Sequence, residues 1–142
     1  TGRAFLNLTL EELEDRELIP FKKAIENGTE AIMVAHIEIP QIDEGMPASL
    51  SRRIITDILK DKMNFKGLII TDALDMAAVT QQFEPGKAAL QSFLAGADIL
   101  LMPDIEAAYN ELIEAYNNNI ISEERLNESV YKILTIKKER GI

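Results

Sequence analysis

Cysteine and tryptophan are missing from this chain, histidine occurs once, and 15 Lys and Arg face 24 Asp and Glu. Each shortage closes off a chemistry. Without cysteine there is neither a disulfide framework nor a thiol nucleophile, and one histidine does not furnish the nitrogen and sulfur ligands of a usual zinc site. No metal and no cofactor is expected. A formal net charge of -9 repels phosphate backbones and anionic lipid, so no nucleic acid and no membrane surface is expected as a partner. Arg52-Arg53 and Lys137-Lys138 with Arg140 sit among acidic neighbours at helical spacing and read as solvated helix faces. Long apolar runs are lacking too. None approaches the roughly 20 residues of a membrane-spanning helix, and the first residues carry no basic and apolar leader.

What is present suits an α/β protein. The chain has 142 residues, 46% of them hydrophobic, enough for one domain with an ordinary core. Thr9-Leu-Glu-Glu12 has the form of a capping box opening a helix to about residue 27, with Leu13, Leu18, Phe21 and Ile25 inward. Pro20 predicts a kink or break in it, and Asn27-Gly28 its end. Strands are expected at 31–36, at 68–71 and at 98–102. Ser51 suits the cap of a helix over 52–63 bearing Ile54, Ile55, Ile58 and Leu59. After a break at Pro85-Gly86, a helix is expected over 87–95. Asp104 can cap a helix over 105–118 with Tyr109, Leu112, Ile113 and Tyr116 inward. Ser122 can cap the last, with Leu126, Val130, Ile133 and Leu134 inward.

An internal repeat organises these pieces. Residues 24–34 parallel residues 92–102: helix, glycine, small residue, acid, strand. Such units, with strands buried on both sides, indicate parallel β/α construction with right-handed crossovers. A closed eight-stranded barrel takes about 250 residues, so three strands amount to under half of one. The expected fold is a partial (β/α)8 TIM barrel, with residues 1–142 forming a single incomplete unit.

In parallel α/β folds, chemistry gathers at the carboxyl ends of strands. There the run Gly67-Leu-Ile-Ile-Thr71 meets Asp72, the candidate catalytic residue, whose bland alternative is a strand-end aspartate capping the next turn. His36 ends the first strand on the same rim, either as a satisfied structural imidazole or as a hydrogen-bonding partner of substrate or of Asp72. Met76 has two readings, packing on a ligand face or filling core. Asp75 reads as a local cap or a supporting group, because acids so near Asp72 raise one another's pKa. Asp104 reads as a helix cap.

Five segments carry a family resemblance, in order and with consistent spacing. They are Leu10-Glu-Glu-Leu13 with Leu18-Ile-Pro-Phe21, Met33-Val-Ala-His36, Pro47-Ala-Ser-Leu-Ser51, Phe65-Lys-Gly67 through Thr71-Asp-Ala-Leu-Asp-Met76, and Ala95-Gly-Ala-Asp98 through Leu101-Met-Pro103. Residues 6–104 thereby resemble glycoside hydrolase family 3, in its β-N-acetylhexosaminidase branch. The resemblance implies the C-terminal part of a β/α barrel, with Asp72 as the catalytic nucleophile of a retaining glycosidase and His36 and Met76 as substrate-binding residues. Such a carboxylate attacks the anomeric carbon, and water resolves the glycosyl-enzyme. The implied substrate is terminal β-linked N-acetylglucosamine, including peptidoglycan-derived fragments.

The resemblance also implies a proton donor on a loop preceding residue 10, a histidine held by an aspartate, which this sequence does not contain. General acid help is typically worth about 10²–10⁴-fold, so the chain alone is expected to be inactive. Unpaired strand edges lead us to expect a homo-oligomer. A non-catalytic α/β regulatory or assembly module is the alternative reading. A phosphoacceptor domain is a third, but it needs an acidic pair after the first strand and a later lysine, neither of which is visible.

Overall fold

The computed structural model describes residues 3–142. Its strands pair in parallel, as two two-stranded ladders that share the stretch 31–38. Strand β1 (Ala4–Phe5) pairs with β3 (Ile37–Glu38), and β2 (Ala31–Val34) pairs with β4 (Leu68–Thr71) in the register Ile32 to Ile69 and Val34 to Thr71. Beyond β4, the chain at 98–101 is attached by a parallel bridge between Ile70 and Ile99. Four parallel segments therefore follow one another across the sheet without the reversal of order that marks a doubly wound fold. The architecture is α/β and barrel-like, and the sheet does not close among the described residues.

Three details differ from expectation. The strand expected at 31–36 is interrupted at Ala35-His36, where the chain changes partner from β4 to β1. The strand expected at 98–102 makes no continuous ladder: Met102 turns to φ 43°, and Leu101 bonds to the Thr71 hydroxyl oxygen instead. Burial on both faces fails for β2, where Ile32 and Val34 are buried but Ala31 and Met33 are exposed, because no element covers their side of the open sheet.

Helices form where capping chemistry starts them. Thr9 and Glu12 close the expected capping box, with Glu12 N donating to Thr9 Oγ1 at 3.2 Å and Thr9 N to Glu12 Oε2 at 2.8 Å. That helix, α1 (Leu10–Glu12), widens into a π-type turn at Leu13–Glu17 and breaks before α2 (Ile19–Glu26), placing Pro20 in a first turn where its missing N–H costs nothing. The helix expected over 52–63 is a π-type segment, Arg53–Lys62, and Ser51 Oγ accepts from Ile54 N at 3.2 Å. A short α3 (Ala77–Thr80) follows the candidate aspartate. Then come α4 (Pro85–Ala95), α5 (Ile105–Asn117) and α6 (Glu123–Arg140). Asp104 and Ser122 cap the last two as expected, accepting from Ala107 N at 2.9 Å and Arg125 N at 3.1 Å.

The internal repeat is a repeat of geometry. Gly28 and Gly96 both take positive φ, 79° and 119°. Thr29 N donates to Ala24 O as Ala97 N does to Ser92 O, and Gly28 N to Ile25 O as Gly96 N does to Phe93 O. Each is the same helix-ending motif feeding a strand.

The main core lies between sheet and helices, built from Ile32, Val34, Ile55, Leu59, Phe65 and Ile69. A second cluster of Leu50, Leu74, Val79, Ala88 and Ala108 sits under the residues after β4. Phe21, Tyr109, Ile113, Tyr116, Leu126, Val130 and Leu134, expected inward, are exposed, since no element lies across these helix faces.

Candidate active site at the carboxyl end of the sheet

Asp72 follows β4 directly, at the carboxyl end of the sheet, and is half-buried. Backbone bonds fix the segment it heads. Asp72 N donates to Val34 O at 3.0 Å, and Leu74 N to Leu101 O at 2.9 Å, so strands on both sides hold it. Its Oδ1 accepts from Ala73 N at 2.8 Å, and Oδ2 has no protein donor among the described residues. A carboxylate with one oxygen oriented and the other unclaimed is equipped to attack an electrophile, needing no base to activate it.

A cavity of about 400 Å³ opens beside it, lined by Ala4, Ala35, His36, Ile37, Asp72, Met76, Ala77 and Ala78. The three candidate residues, Asp72, His36 and Met76, thus meet in one concavity of ligand-pocket size. Met76 is 41% exposed, which rules out its reading as core. Asp75 is exposed and its side chain makes no hydrogen bond among the described residues, so the expected cap is not formed: α3 starts at Met76 with no side-chain bond.

His36 is buried, and both ring nitrogens are engaged. Nδ1 lies 2.6 Å from Ser49 Oγ and Nε2 lies 2.8 Å from the carbonyl oxygen of Ala73. The ring therefore forms part of the cavity wall but bonds to the peptide beside Asp72 and not to the Asp72 carboxylate. Sequence reasoning passed over Ser49, which is fully buried. It also passed over Glu38, a buried acid whose Oε1 accepts from Arg3 Nη1 at 3.0 Å and Gln82 Nε2 at 3.2 Å. An acid at the end of a short strand was the available signal for Glu38; Ser49 lay within the segment Pro47-Ala-Ser-Leu-Ser51 that carried the resemblance, with nothing to single it out there.

The opposite pole holds a different cluster. Asp98 Oδ2 accepts from Ile69 N at 3.0 Å and from Lys132 Nζ at 3.3 Å, and Oδ1 from Ser129 Oγ at 2.6 Å. Arg125 stacks on the Phe93 ring at 4.3 Å and donates to Phe93 O and Ala97 O. Burial, and then the nearby Lys132 and Arg125 charges, hold the Lys60 ammonium below its ordinary pKa. Burial pushes Glu128 upward, but the Lys60 and Lys132 ammonium groups outweigh it and leave the carboxyl below its ordinary value. All these groups are committed to one another, and no cluster of three His, Cys, Asp or Glu side chains suited to a metal ion occurs among the described residues.

A parallel β/α sheet with an available carboxylate at the carboxyl end of a strand, beside a pocket, is the arrangement of a β/α-barrel type of domain. The chain belongs to glycosyl hydrolase family 3, matching the family's "Glycosyl hydrolase family 3 N terminal domain" over residues 1–136, well beyond the stretch that carried the resemblance. It is similar to Beta-hexosaminidase A of Pseudoalteromonas piscicida, 32% identical over 159 residues that cover 96% of this chain and 27% of the relative. Among solved structures it resembles a glycoside hydrolase family 3 beta-N-acetylglucosaminidase from Paenibacillus sp. str. FPU-7, with TM-score 0.92 and 34% identity over 99% of this chain and 28% of that one. A beta-glucoside phosphorylase matches with TM-score 0.87 and 31% identity, over 96% of this chain and 26% of the other. The chain thus spans little more than a quarter of the length of these relatives.

Proposed function

We propose that this chain carries the nucleophile-bearing part of a retaining β-N-acetylhexosaminidase site, acting in the longer protein on terminal β-linked N-acetylglucosamine, peptidoglycan-derived fragments included. The observation that carries the reading is Asp72, half-buried after β4 with Oδ2 unclaimed beside a 400 Å³ cavity. In this reading the carboxylate attacks the anomeric carbon through an oxocarbenium-like transition state and forms a glycosyl-enzyme that a second acceptor opens. Met76 offers an exposed apolar contact for the sugar. The kinship to hexosaminidases favours water as that acceptor, and the name of the beta-glucoside phosphorylase relative makes phosphate the second candidate.

The chain by itself is proposed to be inactive, because among the described residues no other group lining the cavity is free to protonate a leaving oxygen: both nitrogens of His36 are engaged. Purified chain should release no phenol from an aryl β-N-acetylglucosaminide, and turnover lost on Asp72→Ala would overturn this. The nucleophile assignment is tested by grafting residues 1–142 into the Paenibacillus enzyme in place of its matching segment. The folded chimera should be active and lose roughly 10⁴-fold or more on Asp72→Ala; a folded but inactive chimera, or one indifferent to the substitution, rejects the assignment.

We also propose self-association of the isolated chain through its open sheet edges, β1 on one side and 98–101 on the other. Sedimentation velocity showing a compact monomer at micromolar concentration would refute it.

A further inference from the structure

We propose that His36 is a positioning residue for Asp72, acting through the carbonyl of Ala73, with Ser49 fixing the imidazole from behind. The proposal deepens the reading of Asp72 as a nucleophile and rests on it for its meaning, though not for its test. A carbonyl oxygen only accepts, so the 2.8 Å contact from His36 Nε2 to Ala73 O assigns the proton to Nε2. In the neutral ring Nδ1 is then an acceptor, and the Ser49 hydroxyl, 2.6 Å away and fully buried, donates to it. One tautomer satisfies both contacts, and it leaves no ring nitrogen for a sugar hydroxyl or for proton transfer.

The Ala73 residue is where this matters. Its N–H orients Asp72 Oδ1 at 2.8 Å, while its carbonyl accepts from His36 and, at 3.2 Å, from Met76 N. Ring and carboxylate thus hold the two backbone groups of a single residue. The ring is anchored in the break between β2 and β3, and Ser49 lies in the turn Ala48–Leu50 of another part of the chain. The N–H and the carbonyl of Ala73 belong to successive peptide planes, so freeing the carbonyl acts through the Cα of Ala73, whose shift moves the N–H that aims the carboxylate, and small errors of aim at a reacting atom are expensive. The interruption at Ala35-His36 is also where the ring leaves the strand to reach the neighbouring loop.

The test uses the whole chain in solution with nitrogen-15 and carbon-13 labels. A long-range proton–nitrogen correlation spectrum should show the Nε2-protonated ring. His36→Ala should move the carbon-13 chemical shift of the Asp72 carboxyl group at fixed pH and speed exchange of the Ala73 amide about tenfold, while the Ile69 amide, bonded to Asp98 at the other pole, keeps its rate. His36→Gln, which can return a donor to the Ala73 carbonyl, should restore most of both, and Ser49→Ala should move both in the same direction by less. An Nδ1-protonated ring overturns the proposal. So does His36→Ala with the Asp72 carboxyl shift unchanged, or with Ile69 accelerated as much as Ala73, the mark of general loosening. Should His36→Ala not fold, the wild-type tautomer and the Gln and Ser49 variants still decide. Because none of these readouts requires turnover, an inactive chimera would reject the enzymatic reading and leave the geometric one standing.

Discussion

Two aspartates bracket the sheet and have opposite fates. Asp98 precedes its strand segment at the amino pole, and its carboxylate is met by an amide, a hydroxyl and an ammonium group. Asp72 follows its strand at the carboxyl pole and receives one amide. A buried charge whose lone pairs are all taken stabilises a fold and has nothing left for a ligand. A half-buried charge with an idle oxygen does the reverse: it adds little to stability and is available for chemistry.

The comparison can be broken in several ways. Asp98→Ala should have the largest effect on stability, about 3 kcal/mol or more, since it leaves the buried Ile69 amide without an acceptor and removes the buried carboxylate that Lys132 and Arg125 face; urea denaturation of the chain reads this directly. Gly96→Ala comes next. A Cβ there would lie 2.8 Å from Thr56 Oγ1 and 3.0 Å from Ile55 Cγ2, at φ 119°, and should cost about 2–3 kcal/mol. Its repeat partner Gly28 has φ 79° and open space around it, so Gly28→Ala should cost only about 1 kcal/mol by the same assay. Asp72→Ala should change stability by less than about 1 kcal/mol; a drop as large as that of Asp98→Ala would erase the distinction between the poles.

The smallest effect is acid sensitivity at the amino pole. Burial opposes ionisation of Glu128, yet Lys60 and Lys132 leave its folded pKa below the ordinary 4.5. Its contribution is therefore present above that value and lost as pH falls through the lower folded one. Because the side chain is 42% exposed, the contribution is small. Glu128→Gln should flatten the acid limb of the stability curve in that window, as read by thermal melts between pH 5 and 3.

What was legible in the sequence was local. Thr9 with Glu12, Asp104 and Ser122 act on amides three residues away, and the two glycines end helices by their own backbone freedom, so each could be read without knowing the fold. Asp72 was legible because the end of an apolar strand is itself a local signal. The pairing of His36 with Ser49 and Ala73 spans 13 and 37 residues, and that of Asp98 with Ser129 spans 31. Such contacts exist only once the layers are stacked. Strand β1 was missed because two residues give no periodicity, and the exposed faces of Phe21, Val130 and Leu134 were misjudged because an amphipathic pattern marks a face suited to burial without supplying the neighbour that buries it.

The last helix illustrates the consequence. Leu126, Val130 and Leu134 of α6 are largely in solvent, and its ties to the rest of the chain run through Arg125, Glu128, Ser129, Lys132 and Arg140. Salt screens the exposed ties of this helix and spares the buried ones. Concentrated salt should therefore free its last turn, where Arg140 meets Glu30 in solvent, while Ser129 and Lys132 keep the rest anchored to Asp98.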